Sequence, residues 1–501
     1  MAKKFYITTP IYYVNASPHI GHSYTTIAAD ALSRYRRKTL GEENVWFLTG
    51  TDEHGQKIEK AAEAAKLSPQ DFVDQVVLKF KGLWKELNVS YNDFIRTTEE
   101  RHIKVVSQAL SILYKKGDIY EDKYIGWYCT PCETFWIDSQ VIDQSCPDCK
   151  RKVERISETN YFFKLAKYQD WLLSHIKAHP DFIKPASRRE EVLRFLELNK
   201  LNDLCISRPK ERLGWGIPLP FAPEHVTYVW FDALLNYISA VGAFDSDGKY
   251  SSKWWPAQVH LMAKDILRQH AVYWPIMLYA LGVELPQTIF AHGWWMLKEE
   301  KISKSRGNVV NPVDMVRKYG LDAYRYFLLR DVPFGLDGNF SEEALVKRYN
   351  GDLANDLGNL VYRTLTMIEK YFGGDIPEMK SNIKYDARGE EIISRIEGKD
   401  PPFQAGVAKG MEEYNFSQSL GEIWSLINMA NKYVEETKPW NLDKEKKEDE
   451  LKAFIILLVK VIRKAGEELM PFMPDTSRAI AEQLGEGRIR KGAPLFPRLI
   501  P

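Results

Sequence analysis

The sequence predicts an α/β protein in which a parallel sheet, split by a cysteine-containing insertion, is followed by an all-α helix bundle. Apolar runs at 5–9 and 45–49 flank a helical pattern, which is the βαβ arrangement that opens a parallel sheet. Further strand-like runs, separated by helical patterns, lie at 227–231, 259–263 and 288–291. Apolar residues then recur at helical spacing, which predicts helices within 312–330, 342–372, 402–439 and 447–484.

Length and composition indicate a large multidomain protein. The chain has 501 residues, of which 45% are hydrophobic, so it has room for about three domains of ordinary size. Its 69 Lys and Arg residues balance 68 Asp and Glu residues, so a nucleic acid would be bound by local basic patches. No signal peptide is recognised, and the longest uncharged apolar run, Ala271 to Val283, is too short to span a bilayer. We therefore expect a cytoplasmic protein.

Four of the five cysteines have the spacing of a metal site. Cys129 and Cys132 form one C-x-x-C pair, and Cys146 and Cys149 form a second pair. This pattern predicts one structural Zn²⁺ per chain, since four thiolate ligands leave no open coordination position. A redox dithiol would instead need one pair in a thioredoxin-like βαβ context. The remaining Cys205 is expected to be a buried core thiol.

Two polar motifs, 280 residues apart in sequence, predict a site for a polyphosphate. Pro18 to His22 places two imidazoles at the N-terminus of a helix, where backbone N–H groups favour anions. Lys301 to Ser305 places two lysines around two hydroxyl groups in a short polar loop. Each motif alone is usually an ordinary pair of histidines or a solvated turn. Together they predict ATP binding through side chains, since the chain has neither of the common glycine-rich phosphate loops.

Two further segments depend on these motifs for their interpretation. The segment from Gly50 to Gly55 follows the second predicted strand at its carboxyl end, where parallel sheets bind ligands, and Asp52 is suited to a substrate ammonium group. Alone, it would be interpreted as a glycine-bounded turn. The segment from Tyr228 to Tyr237 mixes aromatic and small residues, which in most proteins is simply core.

Together these motifs resemble those of the class I aminoacyl-tRNA synthetases, and within them the bacterial type of methionyl-tRNA synthetase with a single four-cysteine knuckle. Pro18 to His22 matches the family's HIGH box, and Lys301 to Ser305 matches its KMSKS box with Ile302 in place of methionine. The segments from Trp215 to Pro218 and from Tyr228 to Tyr237 also match. The resemblance covers essentially the whole chain.

The resemblance implies a domain order. We expect the first half of a Rossmann-like catalytic domain at 1–115 and a connective insertion with the zinc knuckle at 116–225. The second half of the catalytic domain, with the KISKS loop, is expected at 226–340. A helical anticodon-binding domain is expected at 341–501.

The resemblance also implies the reaction and its residues. Methionine and Mg-ATP would form methionyl-adenylate, from which tRNA(Met) is charged for translation. The residues implied to be catalytic are His19, His22, Lys301 and Lys304. ATP would be bound by His19, Gly21, His22, Asp265, Lys301, Ser303 and Lys304, with Asp265 on the ribose. Methionine would be bound by Ile11, Tyr13, Asp52, Trp230, Ala233, Leu234, Tyr237, Ile266 and His270, with Asp52 on the ammonium group. The anticodon would be bound by Asn359, Arg363 and Trp440.

Alternatives and departures from the family remain at this stage. A synthetase for leucine or valine would carry a large editing insertion, and one for cysteine an open zinc site. A catalytically silent tRNA-binding protein usually loses one of the two boxes, and a small nucleotidyltransferase needs no helical anticodon domain. Leu234 and Ala263 stand where some relatives have proline and glycine. Many relatives carry a C-terminal tRNA-binding appendix, so the resemblance leaves two alternatives, a monomer or a separate tRNA-binding subunit.

Overall fold

The computed structural model describes residues 4–15, 17–130, 134–136, 138–147, 149–297, 300–301, 310–378, 384–398 and 401–499. The chain divides into two compact units. The first unit comprises Met1–Ala29 and Leu40–His292, and the second comprises Asp30–Thr39 and Gly293–Pro501.

The first unit contains strands that form one parallel sheet and several smaller sheets. In chain order the strands are β1 (Phe5–Tyr13), β2 (Val45–Asp52), β3 (Asp93–Arg96), β4 (Ile119–Cys129), β5 (Thr134–Trp136), β6 (Glu154–Phe163), β7 (Ile183–Lys184), β8 (Leu204–Cys205), β9 (Ser207–Pro209), β10 (Pro218–Leu219), β11 (Ala222–Thr227), β12 (Gly242–Phe244), β13 (Tyr250–Ser252), β14 (Val259–Ala263) and β15 (Ile289–His292).

Helices connect these strands. They are α1 (Ile20–Leu40), whose residues 30–39 belong to the second unit, α2 (Gln56–Ala64), α3 (Pro69–Glu86), α4 (Glu100–Lys115), α5 (Gln169–Ala178), α6 (Ala186–Leu198), α7 (Val229–Leu234), α8 (Asn236–Ser239) and α9 (Trp274–Leu281). A short π-helical stretch, Gln269–Tyr273, precedes α9.

The central sheet has six parallel strands in the order β3-β2-β1-β14-β15-β7. Strand β1 lies inside the sheet, with Thr8 opposite Leu48 on one side and His260 on the other. Its residues are almost all buried, as expected for a parallel strand covered on both faces. The carboxyl ends of β1, β2 and β14 therefore meet at one edge of the sheet.

The hydrophobic core of this unit lies between the sheet and its helices. Tyr6, Leu48 and Ile95 from three strands belong to the same buried cluster as Val106 and Leu110 from α4. Each large apolar side chain buried in this way stabilises the fold by about 1.5–3 kcal/mol. The helical spacing of the apolar residues in α4 is thus explained by the sheet that they cover.

One predicted strand was wrong. The run at 227–231 was predicted to be extended, but β11 ends at Thr227 and α7 begins at Val229. Short apolar runs rich in aromatic and β-branched residues do not distinguish strand from buried helix by periodicity. Here Tyr228 has extended backbone and stands at the N-cap position of α7, and Asp232 is bonded to side chains from two other segments.

The segment between β3 and β14 contains the insertion. Its main feature is an antiparallel sheet in the order β5-β4-β6-β8, in which β4 and β6 pair from Ile119 opposite Phe163 to Tyr128 opposite Glu154. A three-stranded sheet, β10-β11-β9, follows. The same segment also supplies β7, which pairs with β15 at the edge of the central sheet. The boundaries between the four predicted domains stay a prediction.

The second unit is mainly helical. A small sheet is formed by β16 (Trp295–Leu297), β17 (Glu300–Lys301) and β18 (Gly338–Asn339). The helices are α10 (Pro312–Tyr319), α11 (Leu321–Arg330), α12 (Glu342–Arg348), α13 (Asn359–Phe372), α14 (Ala387–Ile396), α15 (Pro402–Glu412), α16 (Phe416–Thr437), α17 (Pro439–Lys444), α18 (Glu448–Leu469) and α19 (Pro474–Leu484), with a π-helical stretch at Tyr349–Gly358. N-terminal side-chain caps are supplied by Asn311, Ser341, Asp386 and Asn415.

A buried ion pair lies inside the second unit. Arg325 and Asp30 are both fully buried, and the guanidinium group donates to the carboxylate over 2.7 Å. The guanidinium group also donates to the backbone carbonyls of Pro471 and Phe472. Within the described part of the chain, no helix has both the length and the apolar character needed to cross a bilayer.

Candidate active site and metal cluster

His19 and His22 lie together where α1 begins. Their ring centroids are 4.0 Å apart. The Nδ1 atom of His22 accepts the backbone N–H of His19 over 3.0 Å, and the Nδ1 atom of His19 accepts that of Gly21 over 3.1 Å. Because both Nδ1 atoms are acceptors, the ring proton of each neutral imidazole is on Nε2. The helix N-terminus therefore presents two imidazoles with fixed tautomers.

Gly21 and the aromatic residues behind His22 maintain this arrangement. A Cβ atom at position 21 would lie 3.0 Å from His19 Cε1, so a side chain there would displace the ring. His22 packs edge-on against Tyr12 and Phe80, with centroid distances of 5.0 and 5.6 Å. Tyr12 is fixed in turn by a 2.6 Å hydrogen bond to Thr26, and burial raises the pKa of its hydroxyl well above the usual value. Tyr12 and Phe80 were not predicted as site residues, since both look like core residues in the sequence.

Asp52 ends β2 at the same edge of the sheet. It is 8% exposed and lies opposite Tyr13 of β1, while Ile11 lies opposite Gly50. A Cβ atom at Gly50 would lie 2.1 Å from the backbone oxygen of Ile95, so only glycine fits between β1 and β3 here. The sheet register thus brings Ile11, Tyr13 and Asp52 together, while their role in methionine binding stays a prediction.

Glu53, which follows Asp52, is fully buried, and its carboxylate accepts several hydrogen bonds. Arg96 donates two bonds to its carboxylate, at 2.7 and 2.9 Å. The hydroxyls of Thr51 and Thr98 each donate another at 2.6 Å, and its own backbone N–H donates to Thr97. This set of bonds, the Glu53 latch, holds the segment after β2 against β3. The Glu53 latch was not predicted, because in the sequence Glu53 looks like part of a polar turn.

His54 continues the same segment and leads to a second buried carboxylate. Its Nδ1 atom lies 2.7 Å from one oxygen of Asp232, and Nε2 of His102 lies 2.7 Å from the other. Nδ1 of His102 is 2.8 Å from the Ser239 hydroxyl. Burial raises the pKa of Asp232, but the charge of His54 and the hydrogen bonds from His102 and His54 outweigh it and lower the pKa to about 2. Asp232 is therefore ionised at neutral pH.

Apart from Ile11 and Tyr13 on β1, the predicted side-chain pocket residues lie on α7, on α8 and in the segment after β14. Ala233, Leu234 and Tyr237 are buried, and Trp230 is partly buried. The Tyr237 hydroxyl lies 2.7 Å from Nε2 of His270, whose Nδ1 donates to the backbone carbonyl of Ile266 over 2.9 Å. The structure thus brings Tyr237, Ile266 and His270 into one hydrogen-bonded chain.

His270 and a second histidine in this region are uncharged. Burial lowers the pKa of His270 to about 4, so its Nε2 atom accepts the Tyr237 hydroxyl proton at neutral pH. His260 on β14 packs against Tyr237 with ring centroids 4.2 Å apart. Burial, with a smaller contribution from repulsion by His270 when that ring is protonated, holds the pKa of His260 well below the usual value. His260 Nδ1 lies 2.6 Å from the Thr8 hydroxyl, and Trp274 donates to its Nε2. In the sequence, His260 is marked only as a polar residue within an apolar predicted strand.

Of the remaining residues predicted to bind ATP, the structure describes Asp265 and the backbone of Lys301. Asp265 is exposed and lies in the short 3₁₀ turn Lys264–Ile266, directly after β14. Lys301 is the last residue of β17, where its backbone lies opposite Met296 in the second unit. Ser303 and Lys304 lie outside the described residues.

Three of the four predicted metal ligands form a cluster at the insertion. The sulfur atoms of Cys129, Cys146 and Cys149 lie within 4.8 Å of one another, and those of Cys129 and Cys149 are 3.5 Å apart. They pack beside Trp136 and Val153, and none forms a disulfide. Cys132 lies outside the described residues. Three convergent thiols fit a tetrahedral sulfur-ligated metal ion, so the donor set agrees with the predicted site.

Comparisons with known proteins show to which family the chain belongs. The family model described as tRNA synthetases class I (M) matches residues 5–158 and 152–365. The methionine–tRNA ligase of Caldanaerobacter subterraneus is 49% identical over 518 residues, covering 100% of this chain and 79% of that protein. The corresponding ligase of Thermotoga maritima is 47% identical over 481 residues, covering 95% of this chain and 74% of that protein. The chain belongs to the methionyl-tRNA synthetase family.

Solved structures of methionyl-tRNA synthetases agree with this assignment. The structure of the Mycobacterium tuberculosis enzyme bound by methionyl-adenylate has a TM-score of 0.91 and 37% identity, covering 99% of this chain and 100% of that one. The apo form of the same enzyme has a TM-score of 0.86 and 35% identity. The predicted fold class, family and methionine–tRNA ligase activity are confirmed. The roles of individual residues stay proposals.

In this synthetase, the predicted anticodon residues lie on two helices of the second unit. Asn359 is exposed at the start of α13, and Arg363 lies one turn further along the same helix. Trp440 lies in α17 and is 42% exposed. An exposed indole of this kind is unusual for a large aromatic residue and suits stacking on an unpaired base.

Proposed function

We propose that the first unit of this synthetase activates methionine through His19, His22 and Asp52. The methionine carboxylate attacks the α-phosphorus of ATP and pyrophosphate leaves. The observation that carries this assignment is the pair of imidazoles with fixed tautomers at the start of α1, at the same edge of the sheet as Asp52. The adenylate then passes its methionyl group to the terminal adenosine of tRNA(Met).

Charge stabilisation and alignment carry the rate of the first step. The methionine carboxylate is already ionised at neutral pH, so no general base is needed. The Nε2 protons of His19 and His22 and the N-terminus of α1 would act on the phosphate oxygens. Gly21 would allow their close approach, Asp265 would bind the ribose, and Mg²⁺ would accompany ATP. Lys301 and Lys304 would act on the departing pyrophosphate, and Ser303 would bind ATP.

Methionine would be held at both ends. Asp52 would bind the ammonium group. The side chain would contact Ile11, Tyr13, Trp230, Ala233, Leu234, Tyr237, Ile266 and His270. Because burial keeps His270 uncharged, this lining presents no cation to the thioether. Sulfur–aromatic contacts contribute about 0.3–1.5 kcal/mol each, which favours methionine over aliphatic rivals of similar shape.

The other assignments concern the metal and the RNA. Cys129, Cys132, Cys146 and Cys149 would hold one structural Zn²⁺ that stabilises the insertion. Asn359, Arg363 and Trp440 would bind the unpaired bases of the tRNA(Met) anticodon. A separate tRNA-binding subunit remains an alternative to a monomer. The role of this synthetase in translation would place it in the cytoplasm.

ATP–pyrophosphate exchange without tRNA tests the activation step. Each of the twenty amino acids is supplied separately to the purified chain. We expect exchange with methionine far above exchange with any other amino acid. Exchange that depends on a different amino acid would contradict the pocket assignment. The variants His19→Asn and His22→Asn test the two imidazoles, and full activity in both variants would contradict their assigned roles.

A further inference from the structure

The buried carboxylate of Asp232 is bonded to two segments that are distant in sequence. Because a carboxylate only accepts hydrogen bonds, His54 and His102 each donate an N–H to it over 2.7 Å. Asp232 and His102 have no exposed surface, and His54 is 5% exposed. A charge buried this completely is costly, and removing either partner leaves it poorly compensated. Such a group needs an explanation beyond general stability.

The segments joined by Asp232 carry the two halves of the proposed methionine site. His54 lies two residues after Asp52, the proposed ligand of the ammonium group. Asp232 itself lies on α7 between Trp230 and Ala233, which belong to the proposed side-chain pocket. His102 on α4 supports the carboxylate from the other side. One charged group therefore connects the ammonium-binding segment to the wall of the pocket.

The Glu53 latch separates this connection from the general folding of the segment. Its side-chain partners Arg96 and Thr98 belong to β3 and the turn that follows, so the latch fixes the segment against the sheet. It does not involve α7. Loss of the bond between His54 and Asp232 would thus change the position of α7 relative to Asp52 while the segment stays attached to β3.

We infer that Asp232 is a positioning residue for methionine, which sets the separation between Asp52 and the pocket on α7. This inference rests on the proposed function. A ligand with both an ammonium group and a thioether side chain needs that separation to be right. A ligand with only the thioether side chain does not.

Asp232→Asn tests this role, since it keeps the shape of the side chain but replaces one acceptor oxygen with an N–H₂ group that faces a histidine donor. Pyrophosphate exchange is measured with the full chain while methionine and ATP are varied separately. We expect the KM for methionine to rise roughly tenfold or more, with the KM for ATP and kcat within about threefold of the wild type. Unchanged methionine KM would overturn the inference.

Two competitive inhibitors give a readout that mere loosening of the fold would not produce. Methioninol has the ammonium group and the thioether chain, whereas 4-(methylthio)butan-1-ol has the same chain without the ammonium group. In Asp232→Asn we expect the inhibition constant of methioninol to rise roughly tenfold and that of the alcohol to change less than about twofold. Equal losses for both compounds would indicate a damaged pocket and would overturn the inference.

Variants of His54 keep the test valid if Asp232→Asn does not fold. The side-chain N–H₂ of asparagine occupies nearly the place of the histidine Nδ1–H. We therefore expect His54→Ala to raise the KM for methionine. In His54→Asn we expect a KM for methionine close to the wild-type value. A wild-type KM in His54→Ala would count against the proposed positioning.

A matched control comes from the second unit. Asp30 is as fully buried as Asp232 and is bonded to Arg325, so Asp30→Asn should lower the unfolding temperature but leave the methionine KM unchanged. Pyrophosphate exchange by the wild-type chain distinguishes failure of the proposed function from failure of the positioning role of Asp232. A wild-type chain that exchanges only with another amino acid overturns the proposed function, whereas wild-type methionine KM values in Asp232→Asn and His54→Ala overturn only the positioning role.

Discussion

Individual residues show how burial sets the chemistry of the candidate site. Burial lowers the pKa of His270 to about 4, and Tyr237 uses the resulting lone pair as an acceptor. Asp232 shows the opposite balance, because two histidine donors overcome the cost of burial and keep the carboxylate ionised. The same site thus contains a histidine that burial keeps uncharged and a carboxylate that two histidine donors keep charged.

The buried histidines make stability depend on pH. In the unfolded chain His270 binds a proton near its ordinary pKa of about 6.5, whereas in the folded chain its pKa is about 4. The unfolded state therefore binds more protons between these values, and stability falls as pH falls through this window. For His270→Gln we expect the difference in unfolding free energy between pH 7.5 and pH 5 to shrink by about 2 kcal/mol, measured by urea unfolding. An unchanged pH dependence in this variant would contradict the assignment.

The sequence predicted some of these residues and missed others for a physical reason. His19, His22 and Asp52 stand in short local motifs, so their neighbours in sequence identify them. Asp232 was included only as part of an apolar segment, because its partners His54 and His102 are 178 and 130 residues away. Contacts over such distances depend on the register of the sheet, and a single sequence does not specify that register.

At the scale of elements, the close approach of strands is the main constraint on the site. Gly50 has no room for a Cβ atom, whereas Gly82 on α3 has no atom within 4 Å of that position. We expect Gly50→Ala to destabilise the protein by at least about 1–3 kcal/mol, because β2 and β3 must separate. Gly82→Ala should stabilise it by about 0.5–1 kcal/mol through helix propensity. Thermal unfolding of the two variants checks this contrast, and similar midpoints would contradict it.

The insertion allows a second matched comparison. Cys146 belongs to the thiol cluster, while Cys205 is buried on β8, where burial raises the pKa of its thiol to about 11. We expect about one zinc per chain in the wild type and in Cys205→Ser, and well under one in Cys146→Ser, because a structural site loses affinity with a missing thiolate. Mass spectrometry of metal content after gel filtration measures this. Equal zinc in the two variants would contradict the cluster as the metal site.

Elements were predicted better where they are long. The helical periodicity of the last third correctly indicated a helical unit, and the βαβ pattern correctly indicated the parallel sheet. The segment at 227–231 was predicted wrongly because a short run with four hydrophobic residues fits either a strand or a buried helix. The short strand β7 was not predicted, since its two residues give no periodic signal.

At the scale of the whole molecule, methionine binding and anticodon recognition are assigned to different units. Trp440 lies in the second unit and is 42% exposed, so we expect Trp440→Ala to leave pyrophosphate exchange near wild type. Aminoacylation of tRNA(Met) should fall by roughly 10- to 100-fold, since stacking on one base contributes about 1–3 kcal/mol. Tyr279→Ala, in the first unit and 46% exposed, serves as the control with an exposed aromatic residue. Equal losses in both reactions of Trp440→Ala would indicate a role in folding instead.

The position of β1 inside the sheet has a consequence for synthesis of the chain. Thr8 on β1 bonds to His260 on β14, which is 252 residues later. At about 5–20 residues per second, the ribosome needs roughly 13–50 s to make that stretch. During this time one edge of the newly made β1 is without its neighbouring strand, so the nascent polypeptide must be protected from aggregation until β14 emerges from the exit tunnel.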